Sequence, residues 1–204
     1  MKYIICSLFA FLLSIPLFSQ HQDRLYEIKA LGTEIGSATV SKHISGDTTY
    51  YLTQSLLEVN LLIKKIRMEV TNRTNYYEGQ LISSEATVVV NGKVHTSSSV
   101  VWQDPDYLVR IDNDPKEPIN FPVVYSGTLL YFQEPQGIKE AFSETSGLFM
   151  RVEQEKEGQY TVTDLKNDRD MLHFYEEGVL TNIKIKHPLL TVSINLIKPI
   201  DPAQ

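Results

Sequence analysis

Between Leu61 and Trp102 the chain alternates apolar and polar residues with a period of two. Ile66, Met68 and Val70 interleave with Lys65, Arg67, Glu69, Thr71 and Arg73. That spacing predicts a strand with one buried and one wetted face. Asn91-Gly92 separates the β-branched run Ala86-Thr87-Val88-Val89-Val90 from Lys93-Val94. It is a strong hairpin signal, because a type I′ turn needs positive φ at both central positions. With Tyr76-Tyr77-Glu78-Gly79 as the preceding turn, three consecutive strands form an antiparallel meander.

The flanking chain reads the same way. Leu25–Ala30 sets Tyr26, Ile28 and Ala30 against Glu27 and Lys29, and Gly36–Val40 resumes after Gly32 as a second strand. Ser45-Gly46-Asp47 is a turn before the β-branched and aromatic run Thr48–Thr53. Leu56–Leu62 is Leu-rich and fits a strand end or a short helical turn equally well. Asp104-Pro105 stops the meander, and Tyr107–Ile111 alternates again. Pro115, Pro118 and Pro122 make 112–122 a loop. A short helix is predicted within Val123–Phe132, with Ser126 as cap and Glu134-Pro135 as stop. Two hairpins follow, around Glu157-Gly158 and Glu176-Glu177-Gly178, and Leu190–Leu196 alternates as a last strand. His21 is read as part of a frayed start, and Pro199 and Pro202 as part of a frayed tail.

This gives an all-β chain of roughly ten to twelve hairpin-linked strands with one or two short helices. The architectures it fits are a sandwich, a barrel, or one large curved antiparallel sheet or half-open β-barrel.

Residues 1–20 are set apart from the fold. Lys2 precedes an apolar run from Tyr3 to Phe18, the pattern of a secretory signal peptide. A membrane anchor competes, since the run is only slightly short of the ~20 residues that cross a bilayer. Pro16 and the lack of basic residues just after it favour cleavage. The expectation is an exported protein of the periplasm or extracellular envelope, with no transmembrane span after cleavage. Residues 21–204 then form a single β-rich domain with an ordered core of about 25–198. At about 185 residues it buries roughly 70% of its unfolded surface, enough for a core without staples. The only cysteine, Cys6, lies in the leader, so the mature chain has neither disulfides nor thiolate chemistry.

Charge excludes some partners. Without Lys2 there are 18 basic against 25 acidic residues, with no basic block. Nucleic acid and anionic membrane surfaces both need clustered Lys and Arg, so neither is an expected partner.

Tyr77-Glu78-Gly79-Gln80-Leu81 is echoed by Tyr175-Glu176-Glu177-Gly178-Val179-Leu180. Reused turn chemistry is the plain explanation of that echo. Together with Tyr26-x-Ile28-x-Ala30-Leu31-Gly32-x-x-Ile35-Gly36, Leu130-Tyr131-Phe132-x-Glu134-Pro135 and Phe142-Ser143-Glu144, it resembles a family of exported Gram-negative envelope proteins. That family is known only as domain of unknown function 6134. The resemblance covers about Leu25 to Ile197 and brings no activity or site residues with it. More remotely, the repeated aromatic-glycine-leucine hairpins are similar to those of periplasmic lipoprotein carriers, which implies an incomplete barrel around an apolar cavity.

No catalytic residue, metal ligand or cofactor is named from the sequence. His21, His43, His95, His173 and His187 are scattered, without a ligand pair at metal spacing. Ser126 and Ser146 lack the Gly-x-Ser-x-Gly elbow. Asp104, Asp106, Asp112 and Asp114 flank one strand and read as turn formers rather than a calcium site. Asn72-Arg73-Thr74 matches a glycosylation acceptor that an envelope protein would not use. The 11 Tyr, 8 Phe and 1 Trp remain. Most belong to core and cross-strand pairs. The candidates for contact with an apolar or lipid-like ligand are Trp102, Phe121, Tyr125, Tyr131 and Phe132, four of them on a segment suited to plug or lid a curved sheet. The expected function is a non-catalytic envelope protein holding such a ligand in the sheet's concavity. The alternatives are a structural module with a filled core that contacts another envelope protein, and a hydrolase with a dispersed triad.

Overall fold

The computed structural model describes residues 21–61, 64–187 and 190–200. Fourteen strands form one antiparallel sheet. In chain order they are β1 (His21–Ala30), β2 (Thr33–Ser45), β3 (Thr48–Leu61), β4 (Lys64–Tyr77), β5 (Gln80–Val90), β6 (Lys93–Gln103) and β7 (Asp106–Ile111). Then come β8 (Asp114–Pro115), β9 (Glu140–Ser143), β10 (Leu148–Lys156), β11 (Gln159–Asp164), β12 (Arg169–Glu176), β13 (Val179–His187) and β14 (Leu190–Ile200). Across the sheet the order falls from β8 to β1 and continues from β14 to β9. The sheet is therefore two meanders joined where β1 pairs with β14, and its two margins, β8 and β9, do not pair with each other.

The hairpins follow from turn chemistry. Asn91 and Gly92 have φ of 49° and 78°, the type I′ geometry, and the Asn91 side chain accepts a hydrogen bond from Arg67 N at 2.9 Å. The tyrosine-glycine-leucine echo also has a geometric basis. Beside a register shift, Tyr76 pairs with Leu81 and Tyr175 with Leu180, and all four are buried. The equivalent of Tyr175 is thus Tyr76, while Tyr77 points outward and is exposed.

Several expectations need correction. His21 is no frayed start, since β1 begins there and pairs with His43. Of the two readings left open for Leu56–Leu62, the strand holds for Leu56–Leu61, which is paired along β4. β14 runs through Pro199, opposite Arg24. β9 was not foreseen. The helix within 123–132 shrinks to one 3-10 turn, Leu129–Tyr131, preceded by Thr128 with no side-chain cap; Ser126 makes a different bond. The expected signal segment 1–20, with Cys6, and Pro202 lie outside the described residues.

The concave face carries the core. Tyr26, Ile28, Val40, Tyr51, Tyr76, Val100, Tyr107, Val109, Val152, Tyr160, Val162 and Tyr175 point inward and form one cluster with Val123, Tyr125, Leu129, Leu130 and Phe132 from the 116–138 connection. The connection is a strap tied to both sheet margins. Ile119 O accepts from Tyr107 N at 2.8 Å on β7. On β9, Tyr125 O accepts from Phe142 N at 3.0 Å and Gly127 N donates to Phe142 O at 2.8 Å. The carbonyls left open by the short helical turn are met by side chains from the sheet and the strap. Tyr175 OH donates to Leu130 O at 2.7 Å, the Arg24 guanidinium to Tyr131 O, and Tyr125 OH to Gln133 O at 2.5 Å.

Candidate functional site

The strap fills only part of the concavity. Past it the inward ladder continues with Val70 opposite Val88, Met68 opposite Val90, and Ile194 opposite Ile183. Val70, Met68, Val88, Val90, Ile185, Val192 and Ile194 are only half-buried by the described residues. Where this apolar wall meets the strap there is a cavity of about 240 Å³. Val70, Leu130, Met150, Met171, Ile183, Ile185 and Ile194 supply its apolar lining, and Thr53, Asn72, Thr128, Glu144 and His173 its polar one. A larger depression of about 830 Å³ lies between Pro135–Glu140 and the outer part of β10, with Arg151, Glu153 and Leu165 on its walls. Its charged side chains are exposed and solvated, so it lacks the buried polar groups that fix a ligand's orientation.

The polar side of the inner cavity is a closed network. Asn72 Nδ2 donates to Thr128 Oγ1 at 2.9 Å, and Thr74 Oγ1 donates to Asn72 Oδ1 at 3.2 Å. With the Thr74 proton so used, Thr128 is the donor in its 3.2 Å contact with Thr74, which completes a three-membered ring. Beside it, Glu144 Oε1 accepts from Ser126 Oγ at 2.7 Å and from Thr128 N at 3.0 Å. Ser98 Oγ on β6 donates to Glu144 O at 2.5 Å, so this one residue joins the β9–β10 turn to the opposite half of the sheet. Burial raises the Tyr76 phenol above its ordinary range, and the Glu144 charge adds to the effect. His173 is held by Met171 O at 3.3 Å, and burial drives its pKa down to about 4, so its imidazole is neutral at pH 7.

A family model described as a domain of unknown function, 6134, matches residues 26–197. The chain belongs to that family. No curated protein and no solved structure matches it. In this domain-6134 chain the match spans all but the first residues of β1 and the last of β14, and it includes both the strap and the cavity.

The five aromatic residues singled out by the sequence are not brought together. Tyr131 alone reaches the cavity, its ring 5.5 Å from Tyr26 in an edge contact. Phe132 packs 5.2 Å from Tyr51 under the Arg24 guanidinium, and Tyr125 is buried in the strap. Trp102 packs 4.7 Å from Tyr107 on β6. Phe121 is 49% exposed and stacks 5.5 Å from Phe149, away from the cavity lining. The residues that sequence reasoning missed are polar: Thr53, Asn72, Thr128, Glu144 and His173. A signal for one of them was present. Continuing the Ile66, Met68, Val70 face by twos reaches Asn72 and Thr74, two polar residues on an apolar face. Of the four acids flanking β7, Asp112 accepts from Ser97 N at 2.7 Å as a turn former does.

Proposed function

We propose that the domain is a non-catalytic envelope protein that holds an apolar or lipid-like ligand along the uncovered half of its concave sheet. The observation that carries this reading is the half-buried wall of Met68, Val70, Val88, Val90, Ile185 and Ile194, which the strap leaves open. Inward apolar residues that the described segments leave half-buried are stabilised by an apolar occupant, at roughly 25 cal/mol per Å² removed from water. The cavity alone is below the ~300 Å³ at which ligand pockets usually begin, so the ligand extends from it along the wall. The N-terminal apolar run supports a place in the bacterial envelope.

The test is titration of the purified chain with a polarity-sensitive fluorescent alkyl probe. Saturable binding is expected, and Val70→Trp, which fills the cavity from β4, lowers affinity at least about tenfold. Linear, unsaturable uptake, or saturable uptake unchanged by Val70→Trp, rejects the reading.

One observation favours the hydrolase alternative: a buried carboxylate bonded to a serine hydroxyl. Ser126 is fully buried and is not among the cavity-lining residues, so no substrate carbonyl reaches its Oγ. Among the described residues its hydroxyl donates to the Glu144 carboxylate rather than to an imidazole that could take the proton. The filled upper half of the concavity suits the structural-module alternative, but the open lower half does not.

A further inference from the structure

Glu144 is 3% exposed and lies on the cavity lining. Both of its side-chain hydrogen bonds fall on Oε1. Oε2 stands beside Gly127, another lining residue, 3.0 Å from where a Cβ on that glycine would lie. Among the described residues no donor is seen to reach Oε2, and the ion pairs lie elsewhere, on the surface. His173 on the lining is neutral and offers no counter-charge, and burial keeps the Tyr131 phenol there protonated. An acidic group this far buried, with two neutral donors on one oxygen only, is costly to bury unless a cation or further donors meet the other.

We infer, resting on the ligand reading above, that the buried end of the ligand is an ammonium carried on an aliphatic chain. It meets Glu144 Oε2, with the chain running along Val70, Ile185 and Ile194. An ammonium has three donors and no acceptor, which matches an open carboxylate oxygen. A free carboxylate in the same place meets Glu144 with like charge in a water-poor site, where repulsion is strong. The site therefore discriminates by head group, against fatty acids and for amines.

The experiment is calorimetric titration of the purified chain at pH 7 with dodecylamine, dodecanol and dodecanoic acid, the amine and acid below their micelle concentrations and the alcohol below its solubility limit. The expected order is amine, alcohol, acid, with the amine at least about tenfold tighter than the acid. Glu144→Gln keeps an acceptor for Ser126 Oγ and Thr128 N and is expected to erase the difference between amine and alcohol. That variant also separates the site from general attraction of amines to an acidic surface, which it leaves nearly intact. If Glu144→Gln does not fold, Gly127→Ala, whose Cβ crowds Oε2, is expected to weaken the amine alone. An acid as tight as the amine, or an amine preference that survives the variant, overturns the head-group inference while leaving the apolar-ligand reading standing. No saturable binding of any of the three overturns both.

Discussion

The fully buried Tyr107 hydroxyl donates to Leu81 O at 2.8 Å and accepts from Val123 N at 3.1 Å, so one phenol ties β7, β5 and the strap. Tyr107→Phe leaves both backbone groups short of a partner in a dry site. It is expected to lower the unfolding free energy by about 1–3 kcal/mol in urea titrations. His173 gives a pH dependence. Its folded pKa of about 4 lies below the unfolded ~6.5, so between these values the unfolded chain binds more protons. Stability is therefore whole above pH 6.5 and falls as pH drops towards 4. The loss from pH 7 to 5 is on the order of 2 kcal/mol, and His173→Gln is expected to remove that part of the slope in parallel denaturant titrations. Neither residue's role was legible in the sequence. Tyr107 showed its strand, but its bonds run to residues 26 earlier and 16 later in the chain. His173 looked like one of several scattered histidines, because burial is set by which strand covers which.

At the scale of elements, alternation and turn residues carried most of the information. The meander from β4 to β6 and the hairpins β10–β11 and β12–β13 lie where periodicity and Asn-Gly or Glu-Gly turns put them. What the pattern left open or missed has local causes. Leu56–Leu61 is apolar at positions that satisfy either period, and its pairing with β4 decides for strand. β9 has only four residues, and both Ala141 and Phe142 are buried, so no alternation marks it. Gly36 sits one residue past a register shift between β1 and β2, and a Cβ there would collide with the Leu56 carbonyl of β3. Gly36→Ala is accordingly expected to destabilise by about 3 kcal/mol or more, since backbone rather than a mobile side chain must give way. Gly32→Ala makes a useful contrast: no atom lies within 4 Å, and only the positive φ of 80° resists it. A thermal melt of the two variants side by side should show the Gly36 change as much the larger.

At the scale of the molecule, the sequence limited the choice to a curved sheet, a barrel or a sandwich, and identified the aromatic segment that fills it. It did not reveal that the segment is fastened along both sheet margins, nor that the cavity next to it is half polar. Those facts depend on contacts between residues far apart, such as Ser98 with Glu144 and Asn72 with Thr128, which no local pattern encodes. The junction of the two meanders has a further consequence. Tyr26 pairs with Leu196, 170 positions later, so the seam at the middle of the sheet is the last one a ribosome can supply. Until β14 emerges, β1 and β13 each show a bare backbone rim to any neighbouring chain. A protein built this way has reason to be kept apart from its siblings during synthesis, and a nonsense codon near the 3′ end of its message would leave a sticky, two-part torso rather than a slightly shortened domain.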